Sequence, residues 1–187
     1  VRRGLLWARL TLSNGQSLLV ANTHLTPFTS LHHLREAQVH SIGSFLCSLD
    51  SRPVDHVVVG GDLNIATNFS CPTASAHRRH QQASWLYDFF TQRTGLQDTH
   101  RPSGDSEVLL TYNSRFPALN NLRKRKSKKR LDYIWSGSRS ENAMLNVRGT
   151  GVEFTEPLSA SGQIDPALGI YPSDHFLYYA ILEFLPR

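Results

Sequence analysis

The residues of this chain that are best suited to chemistry come just after the apolar run 57–59. Asp62 and Asn64 stand two residues apart there, directly behind Gly60 and Gly61. A carboxylate accepts protons, and an amide both donates and accepts hydrogen bonds, so the pair suits a site that handles a phosphate and a water. A plain polar turn is the alternative interpretation, because Gly-Asp-x-Asn is a common way for a chain to leave a strand.

Three further polar stretches also lie at the borders of apolar runs. His24 follows the apolar segment 17–21, Asp132 interrupts the alternation of residues 131–135, and His175 comes directly before the segment 176–184. A lone histidine in such a place is more often structural than catalytic, whereas a buried acid needs a partner. The recurrence of polar groups at the ends of several strands favours a shared site over a simple turn.

The elements that must position these residues alternate between strands and helices. Residues 5–12 and 17–25 flank an Asn-Gly turn and predict a hairpin. Apolar residues at helical spacing predict a helix over 31–49, with Ser30 as its N-cap. With the strand that ends at Asp62, this makes a strand–helix–strand unit typical of an α/β sandwich. Further along, the patterns predict a second helix from Ser84 to Gly95 and strands at 108–112, 131–135, 144–154 and 176–184.

The length and composition predict one domain, residues 1–187, with a substantial core. The chain has 187 residues, of which 40% are hydrophobic. Its formal net charge of +5 makes an anionic partner plausible, whether nucleic acid, a phospholipid surface or a phosphorylated small molecule. The two cysteines, Cys47 and Cys71, have no metal-type spacing, which suits a reducing compartment or indifference to redox conditions. No apolar run is long enough to span a bilayer, and an intracellular or membrane-surface location is expected.

A basic run precedes the segment that carries Asp132. Such a run is usually a solvated loop, but it could also contact an anionic membrane or nucleic acid. Its basic residues are Arg123, Lys124, Arg125, Lys126, Lys128, Lys129 and Arg130.

The order of the polar stretches resembles a known superfamily. Asn-Thr-His-Leu at 22–25, Gly-Asp-Leu-Asn at 61–64, Arg-Leu-Asp-Tyr at 130–133 and Ser-Asp-His at 173–175 resemble the endonuclease/exonuclease/phosphatase superfamily. This resemblance implies a four-layer α/β/β/α sandwich of the deoxyribonuclease I-like type. Within the superfamily, the stretch 94–98 and the Pro-Ser-Asp-His at 172–175 look most like neutral sphingomyelinases, which cleave the phosphodiester of a choline-headed sphingolipid.

The resemblance also implies roles for individual residues. His175 would be the general base that activates water, and Asp132 would orient it and stabilise its imidazolium. Asp62 and Asn64 would hold the nucleophilic water and a phosphate oxygen, with the aspartate itself the base in some members. His24 would hydrogen-bond the phosphate or help to protonate the leaving oxygen.

A divalent cation, Mg²⁺ or Mn²⁺, is implied in the same way. Asp62, Asn64 and Asp174 are the residues expected to lie near it. The superfamily's first half normally supplies an Asn after its opening strand and a Glu that is the principal magnesium ligand, and this chain shows neither. The chain begins with Val1 and resembles only the C-terminal two thirds of such a domain, so the sequence is expected to be a piece of a longer protein.

Three functions stay open at this point. The first is a metal-dependent phosphodiesterase that acts on sphingomyelin or a related phospholipid. The second is a nuclease or deadenylase on the same scaffold, which the basic run and the charge favour. The third is a non-catalytic binding domain, which the missing Glu favours, although a purely structural protein has no need for titratable groups at its strand ends.

Overall fold

A computed structural model describes residues 3–27, 29–49, 54–66, 85–100, 110–113, 128–153 and 175–186 of the chain. The predicted hairpin is confirmed by strands β1 (Leu5–Thr11) and β2 (Ser17–His24), which pair antiparallel. Gly15 in the connecting turn has φ +83°, a conformation that glycine adopts without steric cost.

The first helix follows β2 closely and leads back to the sheet. A short 3₁₀ turn, Thr29–Leu31, precedes α1 (His32–Ser48), and the chain then enters β3 (His56–Asp62). β3 pairs parallel with β2, which confirms the strand–helix–strand unit. The predicted cap is wrong: the N-cap position is Leu31, with no side-chain hydrogen bond, because the 3₁₀ turn extends the helical entry past Ser30.

The remaining strands complete one larger sheet and two small ones. Helical residues 85–94 form α2, which is followed by β4 (Gln97–Asp98), β5 (Tyr112–Asn113), β6 (Lys128–Lys129), β7 (Asp132–Ser138), β8 (Ala143–Glu153) and β9 (Leu177–Pro186). The larger sheet has the order β1-β2-β3-β7-β4, while β5 pairs with β6 and β8 pairs with β9.

The two helices bury one face of the larger sheet. Their apolar side chains pack against alternate residues of the central strands, such as Val57, Val59 and Trp135, all of which are almost fully buried. Successive side chains of a strand point to opposite faces of the sheet, so the residue next to Val57 faces the other side. On that second face the ring of His56 lies 4.9 Å from the ring of Phe184 in β9, so the β8–β9 pair forms a further layer.

Some apolar surface stays uncovered in the part of the chain that the structure describes. Leu6 in β1 is 79% exposed and Ile181 in β9 is 58% exposed. The described residues therefore form helix, sheet and sheet layers, and no described helix lies over Ile181. None of the described helices is both long and apolar enough to cross a membrane.

Candidate active site

Strand register places three of the predicted site residues in one row across the sheet. His24 is the last residue of β2 and pairs with Asp62, the last residue of β3. Asp62 in turn pairs with Asp132, the first residue of the antiparallel strand β7. Neighbouring strands lie about 4.8 Å apart, so residues that are far apart in the sequence meet at one edge of the sheet.

His175 reaches this row through a short backbone connection. It forms an isolated antiparallel bridge with Tyr112, and the neighbouring Phe176 amide donates to the Thr111 carbonyl at 2.8 Å. The His175 ring then lies between the two acids: Nδ1 is 2.8 Å from Asp132 Oδ2, and Nε2 is 3.7 Å from Asp62 Oδ2.

His24 approaches Asp62 from the opposite side. Its Nε2 lies 3.3 Å from the same Oδ2 atom of Asp62. The side chain of His24 is 52% exposed, whereas that of His175 is 27% exposed. One carboxylate oxygen is thus approached by two imidazole rings, one of them open to solvent.

The loop after β3 is held in a shape that presents Asp62. The Asn64 amide donates to Asp62 Oδ1 at 2.8 Å, while the Asn64 side chain donates to the Leu25 carbonyl at 3.0 Å. Asn64 has φ +53°, a left-handed conformation that Asn tolerates better than most residues. Gly61 has φ +136°, and a Cβ there would collide with the Thr23 carbonyl. This explains the Gly-Asp-x-Asn pattern in steric terms.

The electrostatics of the row favour a bound cation. Burial and the nearby charge of Asp132 raise the pKa of Asp62, although the Asn64 amide and the two histidines act in the opposite direction. A cation beside Asp62 would favour the ionised form of its carboxylate against both effects. Ligand atoms of Asp62, Asp132 and His175 all lie within 4.8 Å of one another, so this group of side chains could hold a metal ion. Of the other two residues predicted to lie near the ion, Asn64 is bonded to Asp62 through its backbone amide, and Asp174 lies outside the described residues.

Comparison with known proteins places this geometry in a recognised fold. No protein-family profile and no curated protein sequence matches the chain. Solved structures do: D. rerio TDP2 complexed with a single-strand DNA product (22% identity, 97% of this chain, 62% of that chain, TM-score 0.67), an endonuclease/exonuclease/phosphatase family protein from Bacteroides thetaiotaomicron (17%, 97%, 56%, 0.62) and the human Nocturnin catalytic domain with bound sulfate (22%, 100%, 54%, 0.58).

This chain has the fold of these solved structures, the deoxyribonuclease I-like fold. The predicted fold class is thereby confirmed. The chain spans 54% to 62% of the length of these three solved chains, so it corresponds to part of such a domain.

One residue of the basic run, Arg130, is buried and does not lie on the surface. Arg130 is 1% exposed, and its guanidinium donates to Asp98 Oδ1 at 2.7 Å and to the His100 carbonyl at 2.8 Å. The prediction that Arg130 contacts an anionic partner is therefore wrong, because a buried pair with Asp98 already satisfies its charge. Residues 123–127 of the run lie outside the described residues, so their predicted contact remains a prediction.

Sequence reasoning missed Asp98, Thr111 and Tyr112. Asp98 accepts from Arg130 and from the Tyr87 hydroxyl at 2.9 Å. Tyr112 packs edge-on against the His175 ring, with ring centroids 5.1 Å apart. The Arg-Leu-Asp-Tyr stretch contained a usable signal for Asp98, since an Arg beside a strand of buried residues needs a carboxylate partner. No comparable signal marked Thr111.

Proposed function

We propose that this chain carries the catalytic centre of a metal-dependent phosphodiesterase that uses water as its nucleophile. The observation that supports it best is the arrangement of the His175 ring, with Nδ1 on Asp132 at 2.8 Å and Nε2 directed toward Asp62 at 3.7 Å. A histidine held by one carboxylate, with its other nitrogen toward a polar and partly solvated space, is the arrangement that general-base catalysis requires.

In this proposal the hydrogen bond to Asp132 sets the tautomer of the neutral His175 ring. An ionised Asp132 only accepts hydrogen bonds, so the neutral ring carries its proton on Nδ1 and keeps a lone pair on Nε2. Nε2 can then remove a proton from a water that lies toward Asp62. The positive charge that forms on the ring is stabilised by Asp132, which stays ionised during the transfer.

Asp62 is the alternative base, and its environment gives this alternative a physical basis. Its raised pKa makes its carboxylate a stronger base than an ordinary aspartate. Its Oδ1 atom, however, already accepts from the Asn64 amide at 2.8 Å. In our proposal Asp62 and Asn64 position the water and a phosphate oxygen, and His175 takes the proton.

A Mg²⁺ or Mn²⁺ ion fits the acidic end of this row. Asp62 would hold it, with Asn64 and Asp174 as the other predicted contacts, and the ion would neutralise charge on the phosphate oxygens. We do not assign His175 to the ion, because a metal bond at Nε2 would use the lone pair that the base requires. His24, which is half exposed beside Asp62, would hydrogen-bond the phosphate or protonate the leaving oxygen.

For the substrate we propose the phosphodiester of sphingomyelin or a related phospholipid, cleaved in the manner of a phospholipase C. The support is the resemblance of residues 94–98 and 172–175 to neutral sphingomyelinases. The first of these stretches also has a structural explanation here: Gly95 has φ +69° at the end of α2, Leu96 is buried, and Asp98 pairs with Arg130. The stretch therefore supports the substrate only through resemblance.

Nucleic acid is the second candidate substrate. The solved TDP2 structure to which this chain is similar holds a single-strand DNA product, and the formal charge of +5 suits a polyanion. A nuclease or deadenylase would use the same residues in the same roles.

A direct comparison of substrates tests the proposal. Mg²⁺-dependent phosphocholine release from sphingomyelin is measured beside cleavage of single-stranded DNA and RNA, with the chain and its His175→Ala variant. Release of phosphocholine by the wild-type chain but not by His175→Ala supports the lipid substrate. Nucleic-acid cleavage by the wild-type chain but not by His175→Ala supports the second candidate. Equal turnover by the wild-type chain and by His175→Ala would contradict the assignment of His175 as the base. Tight binding of either substrate without turnover would favour a non-catalytic binding domain.

A further inference from the structure

Thr111 occupies a buried position between the two segments that carry the His175–Asp132 pair. It is 0% exposed. Its hydroxyl oxygen accepts from two backbone amides of the neighbouring segment, that of Leu131 at 3.0 Å and that of Asp132 at 3.0 Å. One side-chain atom thus holds the two successive peptide groups that lead into Asp132.

The backbone of Thr111 makes the complementary connection. Its carbonyl accepts from the Phe176 amide at 2.8 Å, next to His175, and its own amide donates to the Lys129 carbonyl at 3.0 Å. Thr111 is therefore bonded to both segments whose side chains meet in the 2.8 Å contact of His175 Nδ1 with Asp132 Oδ2. The next residue, Tyr112, supports the His175 ring from the side.

We infer that Thr111 is a positioning residue that sets the distance and angle between His175 and Asp132. This inference rests on the proposed function, because it assigns Thr111 to the same dyad. A hydroxyl oxygen has two acceptor lone pairs, and here it accepts from two amides, which fixes the start of β7. Buried N–H groups require a partner, so removal of the hydroxyl forces this peptide to shift, and Asp132 shifts with it.

The shape of Thr111 allows a clean test. Thr111→Val keeps the volume and the branched Cβ but lacks the acceptor, whereas Thr111→Ser keeps the acceptor and loses only a methyl group. Thr94→Val is a matched control: Thr94 is also buried, its hydroxyl donates to the Phe90 carbonyl at 2.8 Å and accepts from the Leu96 amide at 3.2 Å, and it lies at the end of α2.

Kinetics with a soluble phosphodiester, bis(p-nitrophenyl) phosphate, provide the first readout. For Thr111→Val we expect kcat to fall roughly 10- to 100-fold, because a small misplacement of a catalytic group has effects of this size. We expect KM to change less than about twofold, since binding of the substrate does not use the dyad. Thr111→Ser should restore most of kcat, and Thr94→Val should lower the melting temperature without changing kcat per folded molecule.

The NMR signal of the His175 ring N–H provides a readout that does not depend on turnover. In the wild-type chain we expect a low-field signal from the His175 Nδ1–H proton, which is bonded to Asp132. This signal should be weaker in Thr111→Val and unchanged in Thr111→Ser and Thr94→Val. An unchanged signal and an unchanged kcat in Thr111→Val would overturn the inference, as would a Thr111→Ser variant as impaired as Thr111→Val. If the wild-type chain hydrolyses no phosphodiester, the proposed function fails, while the NMR comparison still decides the role of Thr111.

Discussion

Two clusters of charged side chains share the segment 130–132 and differ in almost every physical respect. The closed cluster contains Arg130 and Asp98, whose side chains are 2% and 0% exposed. The open cluster contains His24, Asp62 and His175 together with Asp132, and its side chains are between 14% and 52% exposed. Arg130 and Asp132 are two residues apart on one segment, so position in the sequence does not separate the clusters.

The difference between the clusters lies in how their charges are satisfied. In the closed cluster one cation meets one anion at 2.7 Å, the Tyr87 hydroxyl also donates to Asp98, and the His100 carbonyl also accepts from Arg130. Burial acts to lower the pKa of Arg130, but the hydrogen bond and charge of Asp98 outweigh it and raise that pKa. In the open cluster two acids face each other, and the pKa of Asp62 is raised by burial and by Asp132. The charges of the closed cluster are thus balanced within the fold, whereas the open cluster keeps the unbalanced acidic charge that our proposed function requires.

Substitution in the open cluster should give the largest effect, and on turnover alone. We expect His175→Ala to lower kcat by roughly 10³-fold, about 4 kcal/mol in activation free energy, because general-base catalysis commonly contributes this much. The free energy of unfolding should change by less than about 1 kcal/mol, since the ring is partly exposed. Steady-state kinetics and urea titration measure the two quantities. His33→Ala, an exposed histidine on α1, is the control, and equal turnover of both variants would remove the base assignment.

Substitution in the closed cluster should lower the free energy of unfolding and leave turnover per folded molecule almost unchanged. Asp98→Asn leaves the Arg130 charge buried without an anion, and we expect it to cost about 3 kcal/mol of unfolding free energy. The activity that remains per folded molecule should change only a few-fold. Urea denaturation measures the loss. The control is Glu183→Gln, which breaks the exposed pair with Arg148 and should cost less than about 1 kcal/mol. A similar cost at both sites would contradict the distinction between the clusters.

Addition of Mg²⁺ should stabilise the chain through the open cluster. At a free concentration of 100 times Kd the gain in unfolding free energy is about 2.7 kcal/mol, measurable by thermal unfolding. Without the ion, ionisation of Asp62 costs stability as the pH rises through its raised pKa, and Mg²⁺ removes that cost.

The same coupling makes the Mg²⁺ effect weaker as the pH falls through the raised pKa of Asp62, because the ion then competes with a proton. Asp62→Asn should lose most of the response. Asp55→Asn should keep it, because Asp55 lies just before the opposite end of β3, where its carboxylate accepts from the Ser17 amide and hydroxyl. A response that survives in Asp62→Asn would place the ion elsewhere.

The smallest expected effect is on the pH dependence of stability and comes from His56, a buried histidine outside the open cluster. His56 is 0% exposed, its ring nitrogens lie 3.2 Å from Ser138 Oγ and 3.2 Å from Gln16 Oε1, and burial lowers its pKa below the ordinary 6.5. Its neutral form therefore stabilises the fold above pH 6.5, and this contribution decreases as the pH falls, by at most about 1.4 kcal/mol per pH unit.

Urea titrations at several pH values compare the wild-type chain with His56→Gln for this effect. We expect the variant to lose this part of the acid sensitivity. Equal slopes in the two chains would mean that His56 is not kept neutral by burial.

Much of the scaffold could be predicted from residue patterns. The hairpin, the helix over 31–49 and the strand that ends at Asp62 are confirmed by β1, β2, α1 and β3, because period-2 and helical spacings are local properties. The pattern is less reliable for single side chains: Leu34 is one of the apolar residues at helical spacing in α1, yet it is 42% exposed. The buried Arg35, whose guanidinium donates to the Thr26 carbonyl at 2.8 Å, lies beside it instead.

The sequence by itself determined which residue types end the strands: His24, Asp62 with Asn64, Asp132 and His175. These are local facts, since the apolar runs and the glycines around them set strand ends wherever the strands are placed. Only the tertiary structure decided that β7 runs antiparallel to β3, so that Asp132 meets Asp62, and that Arg130 is buried while Asp132 is half-buried at the site. Register and burial arise from packing between segments that are distant in the chain, and no local pattern encodes them.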